Sequence, residues 1–198
     1  HGYLIDEFFW DVMNKRDDRF GGSLPERATF AGDIIKETRK QVGPDIAIIL
    51  RFSQWKQQDY TARLAQTPAE FEAFLKVFVD AGVDVLHASQ RRYWTAEFPD
   101  VDGENGLNTA GWAKKLTGLP SITVGSVGLT GDFEKAFRGE GATVRKLDDL
   151  EARLDKGEFD LVAVGRALLQ DPDWAKKVRE GRISELTNYD AKSLATLY

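Results

Sequence analysis

The stretch TPAEFEAFLKVFVDAGVDVLHAS, residues 67–89, joins a helix pattern to a strand pattern and decides the fold class. Thr67 is a typical N-cap residue, Pro68 suits the first helical position, and Glu70 stands three residues after the cap. Apolar residues then recur at helical spacing until Gly82, which ends the pattern. Residues 83–89 form a short, mostly apolar run of strand length. The stretch therefore predicts a helix followed directly by a buried strand.

The strand pattern occurs four times along the chain. The four runs are IAIILRFS (46–53), VDVLHAS (83–89), SITVGSV (121–127) and DLVAVGR (160–166). Their nearly continuous apolar character predicts strands that are covered on both faces. Two further helix patterns flank the last run, DDLEARLDKG (148–157) before it and DPDWAKKVREG (171–181) after it, whereas we expect a loop at residues 139–149.

Alternating strands and helices are typical of an α/β protein with a parallel sheet. Four βα units are half of those in a (β/α)8 barrel, which typically needs about 250 residues. We therefore expect half a barrel. An open, doubly wound sheet of four or five strands is the structural alternative, because periodicity alone does not separate the two.

The composition is that of a globular protein, and the formal net charge of −5 restricts its partners. A general nucleic-acid or anionic-membrane surface needs a positive field, so we expect neither partner, and any anion site must be local. The chain contains no cysteine and two histidines, which excludes thiolate sites and disfavours zinc. No apolar run approaches the roughly 20 residues of a membrane helix. We expect no metal, no membrane contact and a cytoplasmic location.

The last two strand runs each end at a glycine that leads into a helix start, Gly125 in TVGSVGLTGDF (123–133) and Gly165 in VAVGRALLQDPDW (162–174). A ligand can approach the backbone closely at glycine, and the loops after the last two strands of a barrel frequently form a phosphate site. Arg166 adds a planar cation that suits phosphate. The pair of motifs predicts a phosphate cradle. The alternative is that the glycines are plain turns and that Arg166 pairs with a surface carboxylate.

Arg51 ends the first apolar run, where its guanidinium would lie at the top of a buried strand. A charge in that place needs an anionic or electron-rich partner, which is either a ligand or a core carboxylate. His87 lies inside the next strand run. We assign His87 no role, because a lone strand histidine is more often a hydrogen-bonded core residue.

The chain begins with HGYLIDEFFW (1–10), without methionine, and we expect it to be a piece of a longer protein. His1 and Tyr3 are two residues apart, so in an extended segment their side chains project to the same face. They would offer one ligand a hydrogen-bond donor and a phenol acid, although such pairs are usually just packing. The polar stretch NKRDDRFGGSLPERATF (14–30) fits either a site or a capping and salt-bridge network.

In this order, the motifs resemble those of the Old Yellow Enzyme family, the FMN-dependent ene-reductases. The matching stretches are HGYLIDEFF (1–9), NKRDDRFGGSLPERATF (14–30), RFS (51–53), TVGSVG (123–128) and GRALLQDPDW (165–174). Small departures are Phe20 for the usual tyrosine, Glu26 for the frequent asparagine, and Ser126 where glycine, alanine or asparagine is common. The resemblance implies that residues 1–198 are one domain, the C-terminal half of an FMN-binding (β/α)8 barrel with about strands 5–8. The N-terminal half would then lie outside this sequence.

The resemblance also implies a role for each matching residue. His1 would donate a hydrogen bond to the substrate carbonyl, and Tyr3 would deliver a proton to the carbon next to it. Arg51 would lie at the N1/C2 edge of the flavin and stabilise its anionic reduced form. The FMN phosphate would be held by Gly125, Ser126, Gly165 and Arg166.

The implied activity is reduction of α,β-unsaturated carbonyl compounds with NADH or NADPH as electron donor. The implied partners are a small enone-type substrate and the rest of the barrel, supplied by the missing half or by a second half-barrel. A phosphate-binding barrel enzyme of another class is the first alternative, and it would need a lysine or carboxylate at a strand end near the cradle. The second alternative is a non-catalytic half-barrel, and we expect the isolated chain to be inactive.

Overall fold

The computed structural model describes residues 2–56 and 59–195, in which helices alternate with short strands. The helices are α1 (Leu4–Phe9), α2 (Leu24–Val42), α3 (Pro68–Ala81), α4 (Pro99–Asp102), α5 (Thr109–Thr117), α6 (Phe133–Phe137), α7 (Asp148–Asp155), α8 (Arg166–Gln170) and α9 (Trp174–Arg179). The strands are β1 (Ile49–Ser53), β2 (Val85–Ser89), β3 (Ser121–Val124) and β4 (Leu161–Val162). Short 3-10 helices follow at Ile183–Glu185 and Ala191–Ala195.

Helix α3 begins and ends where the sequence predicts. The Thr67 side chain accepts a hydrogen bond from the Glu70 backbone N–H at 3.2 Å, and the Glu70 carboxylate accepts one from the Gln66 N–H at 2.7 Å. Gly82 ends the helix with a φ of 99°, a left-handed conformation that glycine adopts without a steric penalty. The apolar side chains of the pattern are fully buried in the core, namely Phe71, Phe74, Leu75 and Phe78.

The four strands form one parallel sheet in the order β1-β2-β3-β4. In a doubly wound sheet the strand order reverses at a switch point, and the described strands show no such reversal. Instead each strand pairs with the next along the chain, as in a (β/α)8 barrel. The prediction of an α/β fold that forms part of such a barrel is confirmed.

One face of the sheet is covered and the other is open. The alternate residues Leu86, Ala88 and Thr123 point toward the helices and are fully buried. On the opposite face, Ile49 is 53% exposed and Leu161 is 55% exposed. The prediction of strands covered on both faces is therefore wrong for the described chain, because apolar residues on the second face are exposed.

The third and fourth strands are shorter than the sequence predicts. Strand β3 ends at Val124 because the backbone turns at Gly125, with a φ of 139°, and at Ser126, with a φ of 52°. Strand β4 is limited to two residues, Leu161 and Val162, which pair with Ile122 and Thr123 of β3. No helix in residues 2–56 and 59–195 is long and apolar enough to cross a membrane.

Candidate active site at the carboxyl end of the sheet

A cavity of about 280 Å³ opens at the carboxyl end of the sheet, which we call the strand-end cavity. Residues at or just after the ends of all four strands line it. It brings together the five residues predicted to bind a cofactor, namely Arg51, Gly125, Ser126, Gly165 and Arg166. These residues are far apart in the sequence and meet because parallel strands place their carboxyl ends at one edge of the sheet.

Arg166 is held by backbone carbonyl groups. Its Nη1 donates to the Asp132 carbonyl oxygen at 2.9 Å and its Nη2 donates to the Gly131 carbonyl oxygen at 2.6 Å. Burial lowers the pKa of its guanidinium. Among the described residues, Arg166 forms no ion pair with a carboxylate, so the alternative of a surface salt bridge is not what the structure shows. A cation placed in this way is oriented but retains its charge for a ligand.

Arg51 also lacks a carboxylate partner among the residues that the structure describes. Its Nε donates to the Ser89 hydroxyl at 2.7 Å across the β1–β2 pair. His87 lies opposite Arg51 in the strand register. Burial and then the charge of Arg51 lower the pKa of His87, which favours the neutral imidazole. The positive charge at the end of β1 is thus that of Arg51 alone.

The two glycines of the predicted phosphate cradle differ in how much space surrounds them. A Cβ at Gly125 would lie 2.4 Å from the Gln90 carbonyl oxygen, so this glycine is needed for the close approach of two loops. A Cβ at Gly165 would meet nothing within 4 Å, so packing does not explain that glycine. The backbone N–H groups of Gly165 and Arg166 have no acceptor among the described residues. The space beside Gly165 therefore suits a ligand that accepts hydrogen bonds.

Ser126 shapes the cavity wall by its backbone. Its φ of 52° is uncommon for a residue other than glycine. Its Oγ lies 3.1 Å from the carbonyl oxygens of both Arg91 and Gly131 and can donate to either. The hydroxyl thus ties the loop after β3 to the loop after β2.

The cavity also contains residues that the sequence analysis did not single out, and Arg91 is the most important of them. Its Nε donates to Asp132 at 2.8 Å, its Nη2 donates to Glu134 at 3.0 Å, and its guanidinium lies 4.3 Å from the centroid of the Tyr60 ring. The two consecutive arginines shortly after the second strand run are the sequence feature by which Arg91 could have been predicted as a site residue. Trp55, Gln90 and Phe133 complete this side of the cavity, and their sequence context offers no comparable signal.

The structure describes only one of the two predicted catalytic residues. His1 lies outside the described residues. Tyr3 is extended at the N-cap of α1, as expected, but its side chain is 81% exposed and it is not among the residues that line the strand-end cavity.

The polar stretch at residues 14–30 forms a structural network. The Glu26 carboxylate accepts hydrogen bonds from the Ser23 N–H at 2.7 Å and from the Ser23 hydroxyl at 2.6 Å. Arg27 Nε donates to the Phe9 carbonyl oxygen at 2.6 Å, and Arg19 pairs with Asp33 at 2.8 Å. Of the two interpretations of this stretch, the capping and salt-bridge network accounts for these contacts.

The geometry suits a ligand with an anionic end. One cavity is lined by two cations that lack carboxylate partners, and by two residues whose N–H groups lack acceptors, within the part of the chain that the structure describes; no carboxylate is among its lining residues. A phosphate carries the charge and the acceptor oxygens that such a donor set matches. The cavity is also lined by Trp55, Val127, Leu129 and Phe133, which suit an apolar ring system.

The amino-acid sequence matches a known protein family. The family model described as the NADH:flavin oxidoreductase / NADH oxidase family matches residues 1–185. The "NADH oxidase" of Thermoanaerobacter brockii is 34% identical over 193 residues, which are 94% of this chain and 26% of that protein. The "NADPH dehydrogenase" of Bacillus subtilis strain 168 is 32% identical over 176 residues, 89% of this chain and 45% of that protein.

A solved structure shares the fold. The chain of a 2-naphthoyl-CoA reductase in complex with 2-naphthoyl-CoA superimposes with a TM-score of 0.64 at 26% identity, over 95% of this chain and 26% of that one. The chain thus spans between about a quarter and a half of the length of the relatives that it matches.

Proposed function

This chain belongs to the NADH:flavin oxidoreductase / NADH oxidase family, and on that premise we propose that the whole protein is an FMN-dependent ene-reductase. It would use NADH or NADPH to reduce the activated C=C bond of α,β-unsaturated carbonyl compounds. Family membership confirms the predicted cofactor, FMN, and the predicted electron donor, since relatives carry the names NADH oxidase and NADPH dehydrogenase. The reduction of enones is our own step beyond the family assignment.

The residues of the strand-end cavity fit the phosphate end of FMN. Gly165 leaves room that a Cβ would occupy, its N–H and that of Arg166 lack acceptors among the described residues, and Arg166 has no carboxylate partner there. FMN, when bound, supplies hydride transfer. The chain's own part is to bind, orient and place charge.

Each residue has a role in this proposal. Arg166 binds the phosphate through a guanidinium that the Gly131 and Asp132 carbonyls hold in place. Arg51 is held by the Ser89 hydroxyl. Its positive charge would stabilise the electron-rich edge of the flavin ring. Gly125 and Ser126 shape the wall between these arginines.

Substrate activation is assigned to the start of the chain. His1 would donate a hydrogen bond to the substrate carbonyl oxygen, and the Tyr3 hydroxyl would give its proton to the neighbouring carbon. The exposure of Tyr3 in the described chain is compatible with this role, because no packing contact fixes its ring elsewhere.

The observation that carries the proposal is the meeting of Arg51, Gly165 and Arg166 in one cavity that no carboxylate lines. A phosphate-binding barrel enzyme of another class would need a lysine or carboxylate there to do its chemistry. Neither is present among the residues that line this cavity in the described part of the chain.

The test uses the full-length protein stripped of flavin and titrated with FMN. We expect Arg166→Ala to weaken FMN binding by about 1.5–3 kcal/mol, the range for a hydrogen bond to a charged group, which is about 10- to 150-fold in Kd. Arg179→Ala is the matched control, because Arg179 is exposed on α9 and does not line the cavity. Equal FMN affinity of the wild type and Arg166→Ala would refute the cradle.

A second measurement tests the reaction. The loaded full-length protein is reduced with NADPH without oxygen and is then mixed with 2-cyclohexen-1-one. We expect the flavin to be reoxidised and cyclohexanone to form. A protein that binds FMN but is not reoxidised by this or other enones is an oxidoreductase of this family with a different acceptor.

A further inference from the structure

A second cavity of about 230 Å³ lies beside the strand-end cavity, and we call it the side cavity. The two share Trp55, Gln90 and Arg91 as lining residues. The walls of the side cavity come from the segment after β1, the segment after β2 and the first residue of α5. None of the roles proposed above uses it.

Three arginines line the side cavity, and they come from two different loops. Arg63 lies in the loop after β1, whereas Arg91 and Arg92 lie in the loop after β2, separated from its end by one residue. Glu97 is the one carboxylate among its lining residues in the described chain. The lining is therefore rich in positive charge, although the protein as a whole is acidic.

Glu97 is an internal anchor for Arg63. It is 5% exposed and accepts hydrogen bonds from the Arg63 guanidinium, from the Thr109 hydroxyl and, at 3.4 Å, from the Gln54 amide. Burial raises the pKa of Glu97, and the charge of Arg63 opposes that rise. With all of these donors directed to it, the carboxylate fixes Arg63 in the cavity wall.

Arg91 and Arg92 have a single buried carboxylate between them. Asp132 is fully buried and accepts from Arg91 Nε at 2.8 Å and from Arg92 Nη2 at 3.1 Å. Arg91 has a second partner, Glu134. The side chain of Arg92 is 40% exposed, and its Nε and Nη1 donate to no acceptor among the described residues. Arg63 and Arg91 also have guanidinium nitrogen atoms without an acceptor there, but Arg92 is the most exposed of the three arginines and shares its one carboxylate with Arg91.

We propose that the side cavity binds an anionic group, a carboxylate or a phosphate, of a ligand whose reacting part lies in the strand-end cavity, with Arg92 as its main contact. This inference rests on the proposed function, because only a reaction in the strand-end cavity makes its neighbour a subsite. The anionic group has two sources, the acid group of an enone substrate or a phosphate of the nicotinamide coenzyme. A planar guanidinium with two free donors suits either group.

The test compares two enones that differ in charge. Both (E)-3-benzoylacrylate and (E)-1-phenylbut-2-en-1-one are phenyl enones, and the first has a carboxylate where the second has a methyl group. Binding to the oxidised, FMN-loaded full-length protein is measured by calorimetry, which requires no turnover. We expect Arg92→Ala to raise the Kd of benzoylacrylate about tenfold or more and to leave that of the neutral enone unchanged. The difference should shrink as salt is added, because Arg92 is partly exposed.

NADP⁺ is the probe for a phosphate of the nicotinamide coenzyme as the anionic group. Arg179→Ala is again the control. A loss confined to benzoylacrylate supports the proposal with a substrate carboxylate, and a loss confined to NADP⁺ supports it with a coenzyme phosphate. No change in either Kd, or equal changes for the charged and the neutral enone, overturns it. If the protein binds benzoylacrylate through Arg92 but reduces neither enone, anion binding by Arg92 is supported and the proposed reduction of enones fails.

Discussion

Arg51 and Arg166 are held in the cavity by neutral oxygen atoms, a serine hydroxyl in one case and two backbone carbonyls in the other. These contacts orient each guanidinium without cancelling its charge. Arg166 is in addition partly buried, and because a buried cation without a counter-ion is costly, an anionic ligand would offset that cost. At the scale of single residues, the site therefore lacks the negative charge that FMN would bring.

Tyr3 offers the sharpest test of a single residue. We expect Tyr3→Phe in the full-length protein to slow the reoxidation of reduced flavin by 2-cyclohexen-1-one roughly 10²-fold or more, because general acid catalysis is typically worth that much. Flavin reduction by NADPH should stay nearly unchanged, since that step needs no proton from Tyr3. Anaerobic stopped-flow absorbance measures both steps, and an equal loss in both would mean that Tyr3 has a structural role.

At the scale of elements, Asp132 joins the loop after β2 to helix α6. Its carboxylate pairs with Arg91 and Arg92 and caps α6 by accepting from the Lys135 N–H at 3.4 Å, while its carbonyl oxygen accepts from Arg166. Burial acts to raise its pKa, but the hydrogen bond and charge of Arg91, with the charge of Arg92, hold it below the usual value. One residue thus supports the walls of both cavities.

We expect Asp132→Asn to lower the free energy of unfolding by about 2–4 kcal/mol at pH 7, because it removes the buried carboxylate with which Arg91 and Arg92 pair; this is less than for a fully buried pair, since both arginines are partly exposed. Because the pKa of Asp132 is lowered on folding, its stabilising effect is complete above the ordinary value of 3.8 and is lost as the pH falls through the folded value. Urea unfolding of the full-length protein at a series of pH values measures this difference. Asp45→Asn, at an exposed loop position, is the control, and a difference that persists unchanged at the lowest pH would contradict the argument.

At the scale of the whole molecule, the open face of the sheet and its two edge strands have the same explanation. Strands β1 and β4 pair on one side only among the described strands, and Ile49 and Leu161 are exposed on the face away from the helices. In a closed barrel, that face is the packed interior. We propose that residues 1–198 are the C-terminal half of a barrel whose other half covers this face.

The isolated 198-residue chain should therefore associate. Unpaired edges and exposed apolar strand residues favour pairing with another chain, so light scattering should give a mass above 22.2 kDa. Replacing Ile49 and Leu161 together by lysine should reduce this association, because it places charge on the open face. A 22.2 kDa monomer with amide protection in β1 and β4 equal to that in β2 would contradict the half-barrel.

The sequence alone determined the features that depend on neighbours along the chain. Helix α3 is specified by the cap at Thr67, the stop at Gly82 and the apolar spacing between them. These signals suffice because the hydrogen bonds of a helix join residues only a few positions apart. The order of apolar runs and glycines likewise predicted a phosphate cradle at the strand ends with Gly125, Gly165 and Arg166, and these residues line one cavity because parallel strands in a repeating βα pattern place their carboxyl ends together.

Only the tertiary structure decided which contacts those residues make. Gly125 and Gly165 have the same strand-end context in the sequence, yet one is required by the Gln90 backbone and the other leaves open space. The sharing of Asp132 by Arg91 and Arg92 joins residues about 40 positions apart. Which face of the sheet is covered likewise depends on where the helices pack. These properties arise from contacts between distant segments, and local sequence patterns do not encode the distances on which they depend.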